Sequence, residues 1–290
     1  MKMDSNQTTL IKDLVTIAIP IYNAEEYLKF AIQSVINQTF KNWELLLMED
    51  GSTDSSPVIA EEFAKKDARI RVIKDGRNKG LIYRLNQSIA MAKGEFYARM
   101  DADDIMYLTR IEEEFNYFKN NPETDVVGAS IMTIDNRNNI IGSGYNQGQV
   151  NGFIHPTVMG RTEWFRANPY ADWALRGEDF ELWTRTSRNS KFYAIGKPLL
   201  FYREFGLPSF RKNYLTERAE LMVYRRYKQY GKTFVWFVKN SVITWIKISI
   251  YAIFNLFGKM DVIVKRRRRT PIPHEDCLTV SDLQESIKYK

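Results

Sequence analysis

The sequence predicts an α/β fold, a mostly parallel sheet flanked by helices, followed by a basic, amphipathic helical extension. Three observations carry this. Through Met100 short apolar runs alternate with helix-spaced amphipathic segments, a pattern that implies right-handed crossovers and a parallel sheet. Each run stops at polar or turn residues. Near the carboxyl end, one long aromatic-rich amphipathic stretch precedes Lys265 to Arg269 (KRRRR).

Val15 to Ile19 (VTIAI) and Trp43 to Met48 (WELLLM) read as buried parallel strands. Between them, Tyr27, Leu28, Ala31, Ile32, Val35 and Ile36 recur at helical spacing within Glu25 to Asn37. Ser56 to Lys66 repeats the pattern after Asp54, a suitable N-cap. Ile70 to Ile73 is a third strand, Leu81 to Ala92 a third helix, and Phe96 to Met100 a fourth strand running into Asp101-Ala102-Asp103-Asp104. Ligands of such sheets sit beyond the carboxyl ends of the strands. Those ends carry Tyr22-Asn23, Glu49-Asp50-Gly51 and Asp101 to Asp104, three polar clusters on one edge. Further on, Val126 to Ile134 reads as a strand and His155-Pro156 follows a turn-rich stretch. Glu178 and Asp179 open a helix, where the helix dipole favours acids, and Leu199 to Tyr202 closes the sheet.

Thr233 to Phe257 behaves differently. On a helical wheel Val235, Val238, Val242, Trp245, Ile246, Ile253 and Leu256 share one side, and Lys239, Asn240, Thr244, Lys247 and Asn255 the other. A spanning helix would bury two lysines at roughly 2.5–3.5 kcal/mol each; an in-plane helix avoids that. From Phe205 to Arg269 fifteen Lys and Arg face three acids, although the whole chain carries only +7. The KRRRR run alone is worth about 1 kcal/mol per charge near an anionic leaflet. Residues 211–269 therefore read as a membrane-surface module; a packing helix or dimer face with a solvated basic run is the alternative. The expected organisation is a catalytic-type domain at 13–205, a helical basic module at 206–269 and a polar tail at 270–290. A single cysteine, Cys277, excludes a disulfide framework. With a polar amino terminus lacking an apolar signal core, the expectation is a cytoplasmic protein held on the inner face of the membrane.

The acids suggest chemistry before any likeness is considered. Asp101 and Asp103, two apart on an extended segment, both point to one side and offer hard oxygen ligands for Mg²⁺ or Mn²⁺. An Asp-rich loop serves capping and turn formation equally well, and Asp104 is also suited to capping the next helix. Asp179, beside Glu178, is a candidate general base.

The stretches VTIAIPIYNAEEYL, SVINQTFKNWELLLMEDGSTDSS, NKGLIYRLNQSIAMAKGEFYARMDADDI, RIEEEFNYFKNNPETDVVGAS, HPTVM and GEDFELWTR resemble, in order and spacing, family 2 glycosyltransferases of GT-A fold. The likeness covers roughly residues 13–205, and the subgroup it resembles builds bacterial capsule, O-antigen and other surface polysaccharides. The resemblance implies an inverting, metal-dependent transfer of a sugar from a nucleoside-diphosphate donor to a glycan hydroxyl; the membrane-surface module, which places the site beside such a substrate, makes a lipid-linked acceptor the expectation. It implies that Pro20 and Tyr22 line the nucleoside pocket and that Asp50 accepts the pyrimidine N–H, favouring UDP-linked donors. Asp103 would bind the metal and Asp101 the ribose or a metal-bound water. Asp179 would be the base, with Glu178 supporting the acceptor. Lys79 and Arg84 are candidates for steadying the diphosphate, and His155 and Trp183 for the acceptor side, each with a purely structural role as the alternative.

There are departures. Glu49 stands where the family has the first of two aspartates, and Ala167-Asn168-Pro169-Tyr170 replaces a Gly-Gly-aromatic segment. No Gln-X-X-Arg-Trp element follows, which argues against a processive synthase. Rival readings fare worse. The basic residues flank an amphipathic helix instead of forming an aromatic-lined groove, so no nucleic-acid partner is expected. Pro20 to Glu26 has no Gly-rich basic loop, as a nucleotidyltransferase needs, and no G-x-G-x-x-G follows the first strand, as a dehydrogenase needs. The remaining alternative is a catalytically inactive, membrane-associated scaffold with a glycosyltransferase-like domain.

Overall fold

The computed structural model describes residues 9–204, 209–226, 228–260, 262–263 and 277–289. The basic run 265–269 lies outside the described residues. A ten-stranded mixed sheet forms the core. The strands β1 (Ile11–Ile21), β2 (Trp43–Glu49), β3 (Ile70–Ile73) and β4 (Gly94–Arg99) form a parallel half in the order β3-β2-β1-β4. The antiparallel strand β9 (Met159–Arg161) then joins β4 to β6 (Val126–Ile134), which runs parallel to the long β10 (Phe192–Arg203). Short β5 (Ile105–Met106), β7 (Ile140–Gly144) and β8 (Gly148–Gln149) pair antiparallel with β10, β6 and β10.

Period-two alternation sorts the strand side chains onto two faces. Val15, Ile17, Ile19 and Ile21 of β1, with Leu45 and Leu47 of β2, pack beneath α1 (Leu28–Ile36), α2 (Ser56–Lys66) and α4 (Arg110–Asn120). Ala18 and Tyr97 face the other way, against α3 (Leu81–Met91), α5 (Thr162–Ala167) and α6 (Glu178–Thr186). The strand order turns back after β3, so α3 must cross on the face opposite α1 and α2. That reversal leaves a crevice between the carboxyl ends of β1 and β4, the place where such sheets accept ligands.

Two later helices form the extension: α7 (Phe210–Arg225) and α8 (Phe234–Leu256), each capped by a hydroxyl, from Ser209 and Thr233. The pair packs through the polar side of α8. Thr244, Ile248 and Tyr251 are buried, and Lys247 Nζ lies 3.3 Å from Glu217 and 3.6 Å from Glu220 of α7. The apolar side faces out, with Val235 74%, Trp245 56% and Leu256 80% exposed. By length and composition α8 is long and apolar enough to cross a membrane. The module is tied to α6 and the segments flanking it: Tyr230 Oη donates to Glu181 at 3.1 Å, Arg188 Nη1 donates to Gly231 O at 2.6 Å, and the Arg226 guanidinium lies 3.6 Å over Trp173.

The segment expected to be a polar tail is docked where it is described. A capping box of Thr279 and Asp282 starts α9 (Val280–Ser286), and Leu278 and Leu283 bury against Ile105, Ile134 and Phe201. Asn37, at the end of α1, donates to Ser286 O at 3.0 Å and Lys288 O at 2.9 Å. Scattered apolar residues among many charges conceal this face in the sequence.

Candidate active site

The first part of the site grows from the ends of β1 and β2. Asn23 takes a left-handed turn at φ 50°, and its side chain accepts from Thr53 N at 2.8 Å while Ser52 Oγ accepts from Asn23 N at 3.1 Å. Glu49 holds the same turn by accepting from Ser52 N, which explains why glutamate serves in place of aspartate there. Gly51 has φ 73°, and an added Cβ would stand 2.7 Å from Asn78 N, so the position requires glycine. The turn aims Asp50 inward, where its carboxylate accepts from Lys79 N (2.8 Å), Gly80 N (2.9 Å) and Arg84 Nε (2.8 Å). With two oxygens and about four acceptor positions, one position remains for a ligand. Pro20, Tyr22, Asp50, Leu81 and Ala102 line a cavity of about 370 Å³ here, and Tyr22 is 52% exposed above it.

Arg84 behaves differently from a phosphate ligand. It is fully buried, and its remaining bonds go to Asp75 (2.7 Å), Gln87 (2.8 Å) and Arg77 O (2.8 Å). It therefore fixes Asp50 and the loop at 75–80. The Lys79 ammonium is bound to Asp75 and to Tyr83 Oη, the latter at 3.1 Å.

The second part follows β4. Asp101, Asp103 and Asp104 bring carboxylate oxygens within 4.8 Å of one another. Asp104 does not cap α4, whose N-cap is Thr109. It is buried, with Oδ1 accepting from Arg203 N at 2.8 Å and Oδ2 without a partner among the described residues. Arg203, at the end of β10, also donates through Nε to Asp103 O (2.8 Å), and through its other nitrogens to Asp135 O (2.6 Å) and Asn138 (2.7 Å). Burial, then the charge of Asp101, pushes the Asp103 carboxyl up to about 6, and burial with both neighbouring acids raises Asp104 well above its usual range. Three crowded carboxyls, one oxygen of them buried and unpaired, are a donor set that suits a hard divalent cation.

The third part is the start of α6. Burial and the charge of Asp179 push Glu178 up to about 6, and burial raises Asp179, whose Oδ1 accepts from Phe180 N at 2.7 Å. His155 Nδ1 lies 4.0 Å from Glu178, and Nε2 lies 2.8 Å from Tyr170 Oη. Burial and the charge of Arg99 hold the imidazole well below its usual pKa, so it is neutral. The charge of Asp101 also acts, weakly, on Glu178. Trp183 is not a wall of this site. It is 3% exposed and packs against Phe153, Trp164 and Phe192 on the buried face of α6, the structural alternative of the sequence analysis.

The sequence reading missed Arg99. This guanidinium is 1% exposed and bonds Asp101 from within the sheet. The available signal was a charge in an otherwise apolar strand two residues before an acid, since a buried cation needs a partner.

The sequence pattern of the glycosyl transferase family 2 matches residues 16–194. An uncharacterised glycosyltransferase of Methanocaldococcus jannaschii is 31% identical over 258 residues, covering 83% of this chain and 87% of that one. WfgD of Escherichia coli, named a UDP-Glc:alpha-D-GlcNAc-diphosphoundecaprenol beta-1,3-glucosyltransferase, is 31% identical over 191 residues, or 63% of this chain and 73% of its own. Among solved structures, S. aureus TarS 1–349 in complex with UDP-GlcNAc superposes with a TM-score of 0.62 at 16% identity, covering 80% of this chain and 71% of that one. The mannosyltransferase PcManGT from Pyrobaculum calidifontis, in complex with GDP-Man and Mn2+, gives 0.58 at 13% identity, covering 94% and 85%.

A cation ligand must be ionised, so protons compete for Asp103 as pH falls through about 6. Mn²⁺ affinity measured by calorimetry should therefore be flat above about pH 7 and fall steeply below about pH 6; affinity unchanged down to pH 5 would exclude Asp103 as a ligand. The sign for the metal-free fold is opposite to that of an ordinary ion-paired carboxylate. Raised Asp103 and Glu178 contribute stability below about pH 4 that is lost as pH rises through about 6.

Proposed function

Because the chain belongs to glycosyl transferase family 2, we propose that it moves one sugar from a UDP-linked donor to a hydroxyl of a lipid-linked glycan during bacterial surface-polysaccharide synthesis, with inversion and with a divalent cation. The observation that carries this reading is a set of acids at element ends: Asp50 in the cavity beyond β1 and β2, the clustered Asp101, Asp103 and Asp104 after β4, and Glu178 and Asp179 grouped with His155 at the start of α6.

In this reading Asp50, held by Lys79, Gly80 and Arg84, keeps one acceptor position for the N–H of a uracil ring, and Pro20 and Tyr22 flank the base. Asp101, Asp103 and Asp104 would hold Mg²⁺ or Mn²⁺, which when bound supplies positive charge against the diphosphate leaving group. Asp179 takes the proton of the acceptor hydroxyl as its oxygen bonds to the anomeric carbon and the bond from that carbon to the diphosphate breaks. A single displacement inverts the anomeric centre. Burial, which raises Asp179, makes it a better proton acceptor than an exposed aspartate. Neutral His155 and Glu178 lie beside it and shape the acceptor side. The uridine donors named for WfgD and for the TarS complex support UDP, and the diphosphoundecaprenol in WfgD's name supports a lipid-linked acceptor.

The outward face of α8 supports a place at the membrane. Its apolar residues are exposed while Lys247 turns to Glu217 and Glu220, as an in-plane helix requires. Its ties to α6 would hold Asp179 close to the lipid surface. Paired Trp245→Glu and Ile246→Glu changes should abolish co-sedimentation with vesicles of anionic phosphatidylglycerol; undiminished sedimentation would assign that face elsewhere.

The catalytic assignment predicts that Asp179→Asn lowers kcat by about 10²–10⁴-fold while UDP binding is kept. A variant retaining near wild-type turnover would show that another group takes the proton.

A further inference from the structure

Arg99 ends β4 with 1% of its surface exposed, where a guanidinium is costly unless its donors are met. Nη2 donates to Asp101 Oδ1. Nε is buried and has no partner among the described residues, so the head group is not consumed by a closed structural network. The backbone beneath it is fixed from two sides. Arg99 N donates to Val158 O at 3.2 Å, and Arg99 O accepts from Arg110 Nη2 at 3.0 Å. Arg110 is itself buried and ion-paired with Glu114. Strand β9 side and helix α4 thus hold the stem, and the head has one charged partner, Asp101.

Asp101, held by this bond, keeps a carboxylate oxygen within 4.8 Å of those of Asp103 and Asp104. Arg203, the other cation near the β4 acids, bonds outward to Asp135 and Asn138.

We propose that Arg99 is a positioning residue that holds Asp101 beside Asp103 and Asp104 as a cation ligand. The inference rests on reading the Asp101–Asp104 set as a divalent-cation site. A partner that orients a metal ligand typically controls affinity about 10–100-fold. Arg99 is not among the residues that line the nucleoside cavity of Pro20, Tyr22 and Asp50, so that cavity serves as an internal control.

The test is calorimetry on full-length wild type, Arg99→Met and Arg99→Lys, titrating UDP with and without Mn²⁺, and uridine without metal. UDP affinity in Mn²⁺ should fall about 10–100-fold in Arg99→Met. Arg99→Lys should recover part of it, because lysine supplies a point charge without the planar fork. Uridine should bind all three equally, which a merely structural disruption of the crevice would not allow. A folded Arg99→Met protein that binds UDP with wild-type Mn²⁺ dependence overturns the proposal. If Arg99→Met does not fold, Arg99→Lys decides: normal uridine binding with a raised Mn²⁺ requirement supports it, and a wild-type requirement overturns it. Wild-type protein whose UDP binding ignores Mn²⁺ overturns the cation reading itself, a failure distinct from a metal effect that survives the loss of Arg99.

Discussion

The arrangement of the site depends on a reversal of strand order. From β1 the chain adds β2 and then β3 on one side, and returns to place β4 on the other side of β1. The helices on the two faces are then forced to opposite sides, and no connection covers the gap between the ends of β1 and β4. Tyr22, Asp50 and Asp101 need no long-range device to meet there. Each is the first or second residue beyond a buried parallel strand, so the hydrogen-bond register of the sheet sets their spacing.

What the sheet brings together, electrostatics must then hold. Asp101, Asp103 and Asp104 repel one another, and burial disfavours the charge of Asp103 and Asp104. The fold offsets this with two arginines. Arg203 donates from its backbone N to the Asp104 carboxylate and from Nε to Asp103 O, and Arg99 bonds Asp101 from within β4. The carboxyls left raised toward about 6 at Asp103 and Glu178 mark where the fold sacrifices stability for chemistry, a common signature of working sites.

Much of this was legible in the sequence because the strongest signals are local. The buried strands of the parallel half read as continuous apolar runs, and α2 and β3 match their expected limits, Ser56–Lys66 and Ile70–Ile73. The acids at the strand ends follow from the same logic. Properties set by non-local packing were hidden. Arg84 reads as a diphosphate contact or a solvated helix residue, yet it is buried against Asp50, which lies far from it in the chain. Trp183 reads as a wall for the acceptor sugar or a core residue, and it fills the core between α5 and β10. Arg99 looked like one more residue of a strand, since its role appears only when Asp101 folds back toward it. The docking of α9 depends on Asn37, at the end of α1, and no periodicity in the tail announces that partner.

The central claim is that the crevice is a metal-assisted site for a uridine diphosphate donor. The most direct measurement is a calorimetric titration of UDP, GDP and CDP into the wild-type protein and Asp103→Ala, each with and without Mn²⁺. The account predicts binding of UDP in preference to the others, strengthened by Mn²⁺, with the metal effect lost in Asp103→Ala. Binding of no nucleotide under any condition, or UDP binding equally strong without metal and in the variant, would contradict it.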